Sequence, residues 1–177
     1  MKTVLISSIL LLTSCLVAQN KSEIQSTSPL EYFEGSWIGK ETGKSGIGKG
    51  EREYQFILDG NYLFQKNKSV FEPQEKNPKG EIHQDWAFYS YDRMRDKYIL
   101  REFHSEGFVN QYTLDSLSAD KKTIIFVSEA IENVPEGWRA RVSFMIQNEE
   151  EFLETFELAG PGKEFSQILE NKWTRVK

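Results

Sequence analysis

A chain of 177 residues with 38% hydrophobic and 28% charged positions fills one globular domain plus a short appendage and leaves too little apolar material for two cores. The net charge of −5, with Lys and Arg interspersed among Asp and Glu, repels phosphate backbones and argues against nucleic acid as a partner. An aromatic share of 13% favours pleated, half-buried surfaces or ligand-lined cavities, and so an all-β chain.

The chain opens with Met1-Lys2-Thr3, an apolar stretch from Val4 to Leu12, and Thr13-Ser14-Cys15. A positive start and a short apolar run followed by small residues form a secretory signal, and the run is shorter than the roughly 20 residues a spanning helix needs. Leu12-Thr13-Ser14-Cys15 resembles the bacterial lipobox, which implies removal of residues 1–14 and lipid on Cys15. Several acyl chains would then hold the protein on a membrane of the bacterial cell envelope, each buried methylene contributing about 0.8 kcal/mol. The alternative is cleavage after Ala18, which gives a secreted or periplasmic soluble form but leaves Leu16 where a small residue is wanted. Either way the mature domain has no disulfide, because Cys15 is the one cysteine in the sequence. Residues 15–28 are polar and aperiodic and read as a flexible tether, so the domain spans 29–177.

Ser28 and Pro29 offer an N-cap and a first helical position for one turn through Phe33. Beyond it come short alternating runs separated by turn residues: Gly35 to Lys40, Glu51 to Leu58, Tyr62 to Val70, His83 to Tyr91, Tyr98 to Phe103, Val109 to Leu117, Thr123 to Ala130, Trp138 to Gln147, Glu151 to Leu158 and Phe165 to Val176. Turns such as Asp59-Gly60-Asn61 and Asp92 to Lys97 join most of them as hairpins. Alternation puts Tyr54, Phe56 and Leu58 on one face, and likewise Ile124 with Phe126, Val142 with Phe144 and Ile146, and Phe152 with Phe156 and Leu158. About ten strands in a meander close into an antiparallel up-and-down β-barrel, wide enough to hold a cavity. The glycine-rich stretch from Gly43 to Gly50 lacks Walker spacing and a following helix, and reads as a flexible hairpin. Glu72 to Gly80 and Ile131 to Gly137 are the other segments expected to have freedom.

No pattern for catalysis emerges. Gly-x-Ser-x-Gly is absent, the thiol is committed to lipid, and the Glu149-Glu150-Glu151 run falls in a turn, so the expectation is a protein that is not an enzyme. His83 and His104 have no short metal-binding spacing, so neither a metal nor a cofactor is expected. What remains is a set suited to a small-molecule cavity: Tyr54, Phe56, Trp86, Phe88, His104, Tyr112, Trp138 and Arg141. Filling of the barrel by its own rings competes with that reading. Arg139 and Arg141 share a face, and an anionic ligand follows only if that face looks inward.

Gly35-Ser36-Trp37-Ile38-Gly39, with Phe33 just ahead, resembles the Gly-x-Trp-x-Gly opening strand of the calycin-like barrels, lipocalins and nitrobindin-like haem binders alike. Asp59-Gly60-Asn61-Tyr62-Leu63, and Ala159 to Phe165 with Trp173-Thr174-Arg175, are similar to hairpins of uncharacterised bacterial lipocalin-like domains. The resemblance covers the chain from about Leu30 and implies a barrel that carries a small hydrophobic or amphipathic molecule. Nitrobindin-like barrels hold haem through a His near the closing strands. Gly162 to Lys177 contains no His, so haem stays an alternative without a named axial ligand. A cell-envelope role through surface loops, with a filled barrel, is the other alternative.

Overall fold

In the computed structural model of the chain, residues 28–177 are described; the expected leader, Cys15 and the tether through residue 27 lie outside them. One 3-10 turn, Pro29–Phe33, precedes ten strands: β1 Gly35–Gly43, β2 Gly46–Ile57, β3 Tyr62–Phe71, β4 Glu81–Asp92, β5 Lys97–His104, β6 Val109–Leu117, β7 Thr123–Glu132, β8 Arg139–Ile146, β9 Glu151–Ala159 and β10 Ser166–Arg175. Each strand pairs antiparallel with its sequence neighbour, and β10 pairs with β1, so the sheet closes without an edge. The expected all-β up-and-down barrel and its single N-terminal turn are both present.

Local chemistry sets the turns. Asp92 Oδ1 accepts from the backbone N–H groups of Met94 and Arg95 at 3.0 and 3.1 Å, an Asx turn joining β4 to β5. After Ile57 the chain turns through Leu58 and Asp59 at φ 50° and 57°, and Asn61 donates to the Leu58 carbonyl at 2.8 Å. Leu58 therefore leaves the inward face expected for it beside Tyr54 and Phe56, and is exposed.

One half of the barrel is filled. Ser28 caps the 3-10 turn through its Oγ, which accepts from Leu30 N at 3.0 Å, and Leu30 and Phe33 drop into the barrel as a plug. Phe33 meets Tyr54, Phe144 and Phe152 with ring centroids 5.0 to 5.5 Å apart, mostly edge to face. Arg175 locks the plug: it donates to the Glu34 and Tyr32 carbonyls and stacks 4.2 Å over Trp37.

The glycine-rich stretch forms the expected hairpin between the first two strands, but as paired strand rather than as a flexible loop. β1 and β2 run through it in register, from Gly35 opposite Tyr54 to Gly43 opposite Gly46. A Cβ on Gly50 would lie 2.4 Å from the Trp173 ring and 2.2 Å from Glu41 Oε1, so the missing side chain is what lets Trp173 and Glu41 occupy the interior there. Glu72 to Gly80 is also tied down, since Gln74 bonds both the N–H and the carbonyl of Ile47. β7 continues to Glu132 and so takes up the start of the segment expected to be loose after Ala130.

Candidate functional site

The alternation that fills one half of the barrel with rings continues along the same strands into polar residues at the other end. Arg52 lies two residues before Tyr54, Asp85 two before Ala87, Asn171 two before Trp173, and Glu154 between Phe152 and Phe156, all inward and buried apart from the partly buried Phe156. These residues floor a cavity of about 310 Å³ at the end where β1, β3 and β5 finish and β2, β4 and β10 begin. That volume is at the small end of the roughly 300–1,000 Å³ of small-molecule sites. The walls combine Phe71, Phe108, Val142, Phe156, Ile168 and Leu169 with the acids Glu41, Glu81, Asp85, Glu102, Glu106 and Glu154. A bulge between Gln167 and Leu169 lets both Ile168 and Leu169 line the mouth.

Arg52 organises the floor. Its guanidinium donates to Glu154 Oε1 at 2.8 Å, Asn67 Oδ1 at 3.0 Å and Tyr54 Oη at 3.1 Å, and lies 4.1 Å over the Trp173 ring. Burial works against its charge, but Glu154, Tyr54 and Asp85 together outweigh burial and hold the guanidinium firmly protonated. Asp85 accepts from Gln65 at 3.0 Å and Asn67 at 2.7 Å. Burial would raise the Asp85 carboxyl, yet His83, Arg52 and Asn67 together hold it below its ordinary value.

Two groups on this floor are not satisfied as ions or hydrogen-bonding partners. Glu41 is buried with a single side-chain partner among the described residues, Ser69 at 2.8 Å, and burial pushes its carboxyl up to about 7 against the relief from Ser69 and Arg52. Asn171 donates to Glu154 Oε2 at 3.2 Å, which fixes its amide orientation, and its Oδ1 is buried with no partner among the described residues.

His83 and His104 meet at the mouth, from diagonal positions on β4 and β5. His83 Nε2 lies 3.4 Å from His104 Nδ1 and 3.4 Å from Asp85 Oδ2, and His83 Nδ1 lies 2.6 Å from Glu106 Oε1. His104 Nε2 faces Glu102 Oε2 at 3.4 Å and the Asn110 side-chain amide at 3.1 Å. Burial would lower the His83 imidazole, but its hydrogen bonds to Asp85 and Glu106 prevail and push it up to about 9. His83, Asp85 and His104 have ligand atoms close enough to share a metal ion, and so do Glu81, His83 and Glu106. Sequence spacing could not reveal either set, because the ligands come together across a strand pair.

Of the residues singled out from sequence, His104 lines this cavity. Tyr54 and Tyr112 are buried among the barrel's interior side chains, and Phe56 packs against that core from a partly buried position. Trp86 and Phe88 sit on the outer wall, where Phe64 contacts both and Phe103 contacts Phe88. Trp138 is exposed just before β8. Arg141 points outward, paired with Glu157 at 2.5 Å and stacked 4.5 Å over Phe165, so the Arg139 and Arg141 face offers nothing to an interior anion.

Fold and cavity together define a closed ten-stranded antiparallel barrel, plugged at one end and holding a polar-floored pocket at the other. No family model matches the chain, and no curated protein matches it. Among solved structures it is similar to Rv2717c from M. tuberculosis, with a TM-score of 0.60 and 16% identity over 87% of this chain and 97% of that one. Two designed proteins are more distant. A redesigned β barrel, mFAP0, solved bound to DFHBI, gives a TM-score of 0.45 at 8% identity, covering 81% of this chain and 99% of its own. A fluorescence-activating β barrel of de novo design gives 0.43 at 11% identity, covering 82% of this chain and 95% of its own. At 16% identity the likeness to Rv2717c is one of fold.

Proposed function

We propose that this is a calycin-like carrier or sensor, exported and lipid-anchored through Cys15, that holds a small amphipathic molecule in the barrel mouth without turning it over. The observation that carries the reading is Asn171 Oδ1, buried without a partner among the described residues on the floor of a cavity whose walls combine apolar side chains with acids. A buried acceptor left without a hydrogen bond costs about 1–3 kcal/mol, and a ligand that donates to it recovers that cost. The acids lining the cavity outnumber Lys44, Arg52 and the two His, so the ligand's head is a donor, an amine or hydroxyl, and its body lies against Phe71, Phe108, Phe156 and Leu169. The same acids disfavour haem, whose two carboxylates would face Glu41, Glu102 and Glu106.

The test is a competition titration on the full chain with amphiphiles of one chain length and three heads: amine, alcohol and carboxylate. The expected order is amine, then alcohol, with the carboxylate weakest, and Asn171→Leu should weaken the first two while leaving the third unchanged. Tightest binding of the carboxylate, or no binding of any of the three, would overturn the reading.

A further inference from the structure

We infer that the mouth of the barrel is a transition-metal site, with Zn2+ the fitting ion, held by His83 Nε2, His104 Nδ1 and Asp85 Oδ2. The inference does not depend on an organic ligand entering the cavity. Three facing donors of this kind, two imidazole nitrogens and a carboxylate oxygen, are the types that bind zinc with an open fourth position. Their spacing fits as well as their chemistry. A tetrahedral ion with bonds of about 2.0–2.1 Å separates its ligand atoms by about 3.4 Å, and His83 Nε2 stands 3.4 Å from each of its two partners.

The surrounding groups point the same way. A metal-bound imidazole hands its other ring N–H to a carboxylate or carbonyl, which fixes the tautomer and strengthens the ligand. Both rings have that partner: His83 Nδ1 has Glu106 at 2.6 Å, and His104 Nε2 has Glu102 at 3.4 Å and the Asn110 amide at 3.1 Å. Tyr112 Oη lies 2.8 Å from the same Asn110 nitrogen position, so turning that amide over would present one oxygen to two donors, the Tyr112 hydroxyl and the His104 N–H. Asp85 is fixed by Gln65 and Asn67, and His104 lies flat on Phe108 with centroids 4.1 Å apart. The donors are therefore held before the ion arrives, and the fourth position opens to the cavity for water or a Lewis-basic atom.

Calorimetric titration of the metal-free full chain with Zn2+, in a buffer that does not chelate, tests this directly. The expected result is one ion per chain. His104→Gln should lose more than the about 10–100-fold by which Glu106→Gln, acting only through His83, weakens binding, and Glu81→Gln should bind as the wild type does. Circular dichroism checks the fold of each variant. If His104→Gln does not fold, the Glu106→Gln ratio decides, and Co2+ in the wild-type chain should give the strong visible bands of a four-coordinate site. Absence of saturable Zn2+ binding, unchanged affinity in Glu106→Gln, unchanged affinity in a folded His104→Gln, or a loss confined to Glu81→Gln would each overturn the assignment.

Discussion

Replacing Glu41 with Gln isolates the consequence of putting a carboxyl on the floor of the cavity. In the folded chain that carboxyl titrates at about 7, against an ordinary 4.5, chiefly because burial disfavours its charge. Between those two values the folded protein retains a proton that the unfolded chain has released, so stability falls as pH rises from about 4.5 to about 7 and is level above that. A displacement of about 2.5 units at about 1.4 kcal/mol each is worth about 3 kcal/mol. Gln cannot ionise and can still accept from Ser69. Glu41→Gln should therefore match the wild type near pH 4.5 and exceed its stability by up to about 3 kcal/mol at pH 8. Urea unfolding of both proteins at the two pH values reads the difference, and other titrating groups cancel in it. A difference that does not change with pH, or a Gln variant less stable than wild type at pH 8, would refute the reasoning.

Three further outcomes follow from the same structure. Arg52→Ala strips Glu154 of its buried counter-charge and Trp173 of its stacked cation, and should cost about 3–5 kcal/mol in urea unfolding. Gly50→Ala forces a methyl group against Trp173 and Glu41, and should cost about 1–3 kcal/mol while weakening amphiphile binding in the titration described above. Cys15→Ser should move the protein from the membrane fraction to the soluble one and abolish its labelling by fatty acid; retention of both would remove the lipid anchor from the account.

The barrel was legible because its signals are local. Turn residues separate strands of 8 to 12 residues, and the rings Phe126, Phe144, Phe152 and Phe156, each on one parity of its strand, mark an inward face. Where both parities are aromatic, alternation says nothing about direction: in β4 Trp86 and Phe88 compete with Ala87 and Tyr89, and it is Ala87 and Tyr89 that face inward. Gly43 to Gly50 was legible as a hairpin but not as paired strand, for a different reason. Glycine weakens a strand in isolation, and only the rings of Trp173 and Phe71, distant in sequence or on another strand, explain why it is required there.

The site was half legible. The parity that placed Tyr54 inside also places Arg52, and the same extension from Trp173 reaches Asn171 and from Tyr89 reaches Asp85. Charged residues on an inward face read as exceptions to alternation unless the pattern is followed past the apolar stretch. The pairing of His83 with His104 depends on the register of β4 against β5, which turn length alone did not fix.

Native mass spectrometry of the full chain, purified gently from its own host and compared with the same sample after denaturation, tests the central claim that the barrel mouth holds a small molecule. The expected result is a discrete non-covalent mass that is lost on denaturation and belongs to an amphiphile with a donor head. An unchanged mass before and after denaturation, in protein that has also been exposed to saturating lipid and amine mixtures, would contradict it.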